Sequence, residues 1–87
     1  MEDQAIPISF GEWIKQRRKT LDLTQGELAQ RAGCSIFALR KIETGERRPS
    51  RQLAELLAVA LEIPPEDKPA FCRMARSHFV TDPLPVA

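Results

Sequence analysis

The sequence predicts an all-α fold, a bundle of five short helices, and three observations carry that prediction. Apolar residues recur at three- and four-residue spacing in five successive stretches. Hydroxyl residues, glycines and prolines stand where those stretches begin and end. No strand-like alternation of useful length occurs anywhere. The first helix is expected from about Phe10 to Leu21, with Phe10, Ile14, Arg17 and Leu21 on one stripe, Ser9 as N-cap and Glu12 at the third helical position. Thr24 followed by Glu27 three residues on is a capping box, so a second helix starts there. It carries Leu28 and Ala32 one turn apart and ends after about eight residues at Gly33, which tolerates a positive φ.

Ser35 caps the third helix, where Leu39 and Ile42 form an apolar edge before Gly45 closes the segment. Glu46-Arg47-Arg48-Pro49 is a polar loop ending in a helix breaker, and Ser50 caps a fourth helix from Arg51 to about Leu61. Only Glu55 is polar between Leu53 and Leu61, so this helix is expected to be the most buried element. Pro64-Pro65 breaks the chain again. Ala70, Phe71, Met74 and Ala75 then mark a fifth helix starting near Asp67, since Pro69 is tolerated only in a first turn, and reaching Arg76 or Ser77. The expected layout is an arm over 1–8, a folded domain over 9–78, and a tail or the beginning of an interdomain linker over 79–87.

A chain of 87 residues fits one domain and buries only roughly 60% of the surface its unfolded form exposes, which excludes a large enzyme with a separate cofactor domain. Hydrophobic residues make up 43% and charged residues 29%, the balance of an ordinary globular chain. No apolar run approaches the roughly 18 residues of a membrane span, and the acidic start at Glu2 and Asp3 is unlike a secretory signal, so a cytoplasmic location with no membrane partner is expected. Cys34 and Cys72 match neither a disulfide framework nor zinc-site spacing and are read as reduced, partly buried thiols. One histidine, His78, gives no acid–base pair. Neither a glycine-rich phosphate loop nor an acidic calcium loop is present, so no catalytic residue, metal or cofactor is expected.

The net charge of +1 hides an uneven distribution. From Phe10 to Gln52 ten Lys or Arg face five acids, while residues 1–9 and 53–87 are each acidic by two. A basic middle is compatible with nucleic acid but does not by itself establish it. More specific is the joint at Ala32-Gly33-Cys34. Two helices this short must pack on each other at a steep angle, which requires a small Ala29, the turn at Gly33, and a seam of Leu28, Ala32, Cys34, Leu39 and Ile42.

These residues resemble the helix-turn-helix pattern. The string from Leu21 to Ser35, continued through Leu39-Arg40-Lys41-Ile42-Glu43-Thr44-Gly45 and Arg48-Pro49-Ser50 into Leu53-Ala54, is similar to the phage repressor and Cro family, also called XRE. The resemblance covers most of residues 10–76 and implies a lambda-repressor-like bundle with the helix-turn-helix at helices two and three. Phe10-Gly11-Glu12-Trp13 and Ile63-Pro64-Pro65-Glu66 are similar to N-terminal domains of larger bacterial regulators, which implies a C-terminal signalling or nucleotide-binding module in a longer parent chain.

The resemblance further implies sequence-specific binding of double-stranded DNA as a transcriptional regulator, with residues 36–44 in the major groove. Ile36, Phe37, Arg40 and Lys41 then face base edges; the alternative for Ile36 and Phe37 is packing against helix four, with Ile36 the better suited of the two to burial. Thr24, Gln25, Arg18, Arg47, Arg48, Ser50 and Arg51 are the expected phosphate contacts, which set register but read no sequence. Gln25 is therefore expected to support all sequences alike. Relatives pair an arginine late in helix one with the glutamate ending the recognition helix, so Arg18 and Glu43 form an expected structural ion pair. A homodimer is expected from the small footprint of one such unit, with Phe71, Met74 and Phe79 as interface candidates, although Phe71 also suits the core. The competing reading is a protein-interaction module on the same fold, using Ile36 and Phe37 as an apolar contact.

Overall fold

The computed structural model describes residues 9–77; the expected arm, His78, Phe79 and the tail lie outside them. Among the described residues five α-helices follow one another: α1 (Phe10–Thr20), α2 (Gln25–Ala32), α3 (Ile36–Thr44), α4 (Arg51–Ala60) and α5 (Lys68–Ser77), with a 3-10 turn at Pro65–Asp67 leading into α5. The all-α five-helix prediction holds, and no strand occurs among the described residues.

Each of the first four helices starts at the hydroxyl residue that the sequence marks. Ser9, Thr24, Ser35 and Ser50 each accept a hydrogen bond from the third amide of the helix that follows. At α2 the box is reciprocal: Thr24 N–H donates to Glu27 Oε1 at 2.8 Å and Glu27 N–H donates to Thr24 Oγ1 at 3.0 Å. Glycines with positive φ, Gly33 and Gly45, close α2 and α3. The sequence offers no glycine at the ends of α1 and α4, yet these close the same way. Asp22 (φ 58°) and Glu62 (φ 59°) take the left-handed conformation, and Leu23 and Ile63 donate back to Arg18 and Ala58. The apolar residue after each acid, Leu23 or Ile63, is buried, which holds the chain in a conformation those acids do not favour alone.

The core is built from α1, α2, α4 and α5 around Ile14, Leu28, Leu57, Leu61 and Phe71, with Leu39 and Ile42 entering from α3. Phe10 and Trp13 both pack on Phe71, with ring centroids 5.1 and 5.8 Å apart in tilted and edge-on geometry, and so join α1 to α5. The close α1–α3 approach depends on Gly11. A Cβ there would collide with the backbone carbonyls of Ile42 and Glu43.

Two expectations are corrected. Helix α4 is not buried around its circumference: it packs on α2 and α5 and leaves Leu56 and Val59 exposed on its third side. Composition could not show this, because an apolar residue is compatible with either environment. Met74 is buried in the core with Phe71, so neither side chain is available as a dimer contact. Cys34 and Cys72 are free and half-buried, as expected.

Candidate nucleic-acid interface

The second and third helices form one unit because the turn between them is short and sealed. Gly33 supplies the left-handed residue, Cys34 N–H returns to the carbonyl of Ala29, and Ser35 immediately caps α3. Ala29 is buried where α3 crosses α2, as its size requires. The angle of α3 is thus fixed by backbone geometry at one end and by packing of Leu39 and Ile42 along its inner face.

The outer face of α3 carries the expected readout residues. Phe37 is 70% exposed, and Arg40 and Lys41 are exposed beside it. Ile36 is half-buried and so contributes less to that face than expected. An exposed phenyl ring next to two cations is a surface with both apolar and charged contacts to offer, on a helix that cannot easily rotate.

Beneath this face lies a hydrogen-bonded chain reaching from α1 to α3. Arg18 and Glu43 are buried, and their pairing is bidentate: Nε donates to Oε2 at 2.8 Å and Nη2 to Oε1 at 3.2 Å. Arg18 Nη1 also donates to the Leu23 carbonyl at 3.0 Å. The expected structural pair is therefore present. The expected phosphate role of Arg18 is corrected, since its side chain is 10% exposed and all three nitrogens are engaged inside the protein. Gln25 continues the chain: its Nε2 donates to Glu43 Oε1 at 3.0 Å, and its Oε1 accepts from Arg40 Nε at 3.3 Å. The Gln25 side chain, expected on a phosphate, has both ends of its amide occupied by protein groups. Gln25, Arg40 and Glu43 line an open hollow of about 560 Å³ together with Ser9, Glu12, Lys15 and Thr44.

The loop after α3 divides. Arg47 is exposed. Arg48 donates to the carbonyl of Arg76, tying the loop to the last turn of α5, so part of its guanidinium is already committed. Ser50 caps α4, and Arg51 lies 3.8 Å from Glu55 in an exposed pair worth little. Among the described residues two titratable groups depart from ordinary values. The hydrogen bond from the Thr24 backbone, then that from its side chain, lowers Glu27, while burial raises the Cys34 thiol.

Sequence reasoning missed the role of Arg17. Its Nε donates to the carbonyl of Leu61 at 3.0 Å and its Nη2 to that of Glu62 at 3.3 Å, so it ties the end of α4 to α1. A basic residue near a helix end was visible, but the acceptors lie more than forty positions away. Gly11 was also missed as a packing residue, because its partners are carbonyls of α3.

Two short helices at a fixed angle, the second exposing one cationic and aromatic face, define a helix-turn-helix domain. Residues 9–71 match that family, and the chain belongs to it; the family is a non-enzymatic, DNA-binding class. The chain is 34% identical over 56 residues to an uncharacterized HTH-type transcriptional regulator of Mycobacterium tuberculosis, found in strains CDC 1551 and H37Rv. The match covers 64% of this chain and 40% of each relative, so the chain spans well under half the length of the curated relatives it matches. No solved structure gives a significant match. No helix among the described residues is long and apolar enough to cross a membrane, and no cluster there of three or more His, Cys, Asp or Glu could hold a metal ion.

Proposed function

We propose that this domain reads the major groove of double-stranded DNA, as part of a transcriptional regulator of the phage repressor and Cro (XRE) type. The observation that carries the reading is the single exposed face formed by Phe37, Arg40 and Lys41 on a helix held at both ends. An arginine on such a face can give guanine O6 and N7 two hydrogen bonds, which discriminates against other bases by about 1–3 kcal/mol, and Phe37 can pack on a thymine methyl. Ile36, half-buried, would add only an edge contact. Phosphates would be met by the unpaired amides at the start of α2, beside Thr24 and Gln25, and by Arg47, Ser50, Arg51 and the remaining donors of Arg48. Arg18 and Glu43 serve to hold α3 in place.

The proposal extends to a domain over 9–78 preceded by an arm and followed by a linker. It also includes a cytoplasmic location, pairing of two copies on two half-sites, and a C-terminal signalling or nucleotide-binding module in a longer parent chain.

Titration of random duplex at two salt concentrations tests the reading. Binding that neutralises several phosphates weakens with a log–log slope of about −0.9 per phosphate contact. Selection of bound sites from a random duplex pool should then return a recurring sequence. Salt-insensitive capture of a protein partner, abolished by changing Phe37 and without duplex binding, would instead support the interaction-module reading.

A further inference from the structure

We propose that Gln25 acts on DNA through Arg40, as a positioning residue for guanine recognition, rather than as a phosphate ligand; this rests on the DNA-binding reading above. Glu43 anchors the chain of hydrogen bonds, pairing with Arg18 and receiving Gln25. Its carboxylate is buried and can only accept hydrogen bonds, and Oε1 already receives Arg18 Nη2. Whatever Gln25 directs at that oxygen must therefore be a donor. This settles the orientation of the amide: Nε2 faces Glu43 at 3.0 Å, and Oε1 is turned outward.

The outward oxygen accepts from Arg40 Nε at 3.3 Å. An exposed arginine ordinarily samples many rotamers, and ordering it opposes binding. Here one nitrogen is tethered to an amide, which is itself fixed by a buried ion pair. The tether uses Nε and leaves Nη1 and Nη2 without a hydrogen bond among the described residues. Those two nitrogens form the end-on fork that matches guanine O6 and N7. Arg18, Glu43, Gln25 and Arg40 are thus a relay of position from the core of the bundle to the exposed face of α3.

The test uses the sequence recovered by selection and its single-base-pair variants, bound by the wild-type chain, Gln25→Met, Arg40→Ala and the double variant. Methionine keeps the volume and helix preference of glutamine and removes both hydrogen bonds. For the wild type, replacing the guanine read by Arg40 should weaken binding about 5- to 150-fold. Gln25→Met is expected to reduce that ratio at the same base pair, to leave other positions and the salt slope unchanged, and to have no further effect once Arg40 is alanine. Gln25→Glu, which keeps an acceptor for Arg40, should retain more of the ratio than Gln25→Met.

A uniform loss on every duplex with Gln25→Met, with a salt slope shallower by about 0.9 and the full loss persisting without Arg40, would overturn the proposal while leaving the DNA-binding reading intact. Equal discrimination ratios in the wild type, Gln25→Met and Gln25→Glu would do the same. Absence of salt-dependent duplex binding by the wild type would overturn both.

Discussion

Helices α3 and α4 are alike in length and in how they start, each capped by a serine hydroxyl, and each exposes at least one large apolar side chain, Phe37 on α3 and Leu56 and Val59 on α4. They differ in what surrounds that exposure. On α3, Phe37 stands beside Arg40 and Lys41, above a chain of hydrogen bonds that runs into the core. On α4, Leu56 and Val59 stand beside Glu55 and Gln52, and the buried side of the helix is wholly apolar. Single exposed hydrophobics are ordinary on protein surfaces. The comparison teaches that the chemistry of the neighbours, and the rigidity of the support, separates a candidate site from an incidental patch.

The largest expected effect comes from removing the support of α3. Glu43→Ala leaves the Arg18 guanidinium buried without its carboxylate and should destabilise the domain by about 3–5 kcal/mol in urea denaturation. Replacing both partners together with apolar residues, Arg18→Met with Glu43→Leu, should recover most of that loss, because a buried ion pair is often close to neutral against well-packed apolar groups. Recovered stability with undiminished base discrimination would break the contrast drawn here, since α3 would then need nothing that α4 lacks.

The caps, the glycine-closed ends and the α2–α3 turn were legible in the sequence because their partners lie within a few residues. Thr24 with Glu27, and Gly33 before Ser35, carry their geometry in their spacing. The Arg18–Glu43 pair, twenty-five positions apart, was reached only through family resemblance. Other features depend on which elements the fold brings together, and no local pattern encodes them. Gly11 is required by carbonyls of α3, Arg17 by carbonyls at the end of α4, and the outward turn of the Gln25 amide by a carboxylate on another helix. The exposure of Leu56 and Val59 has the same origin: α4 has apolar residues on three sides, and only the positions of α2 and α5 decide which side stays open.

A middle-sized effect sharpens the comparison at the exposed side chains themselves. Phe37→Ser and Val59→Ser each remove an exposed apolar group, so each should change stability by no more than about 0.5 kcal/mol. Only Phe37→Ser is expected to weaken duplex binding, with its loss concentrated on sites carrying a thymine at one position. Equal binding losses from the two variants, measured by titration on the selected sequence, would mean that neighbouring charge and support do not distinguish these helices.

The smallest effect concerns how the two regions begin. The α2 start, which underlies the placement of α3, uses a carboxylate, whereas the α4 start uses the Ser50 hydroxyl. The Thr24 backbone and side-chain hydrogen bonds hold Glu27 below its ordinary value of 4.5, so its folded pKa lies beneath its unfolded one. The resulting stabilisation is fully present above the unfolded value and is lost as pH falls through the folded one. Thermal midpoints of the wild type and Glu27→Gln should therefore differ at neutral pH and converge as the solution is acidified below about 4.5. Ser50→Ala removes a cap with no titrating group, so its deficit relative to the wild type should be the same at both ends of that range. A Glu27→Gln deficit that stays constant with pH would show that the carboxylate contributes no more to the start of α2 than a neutral amide.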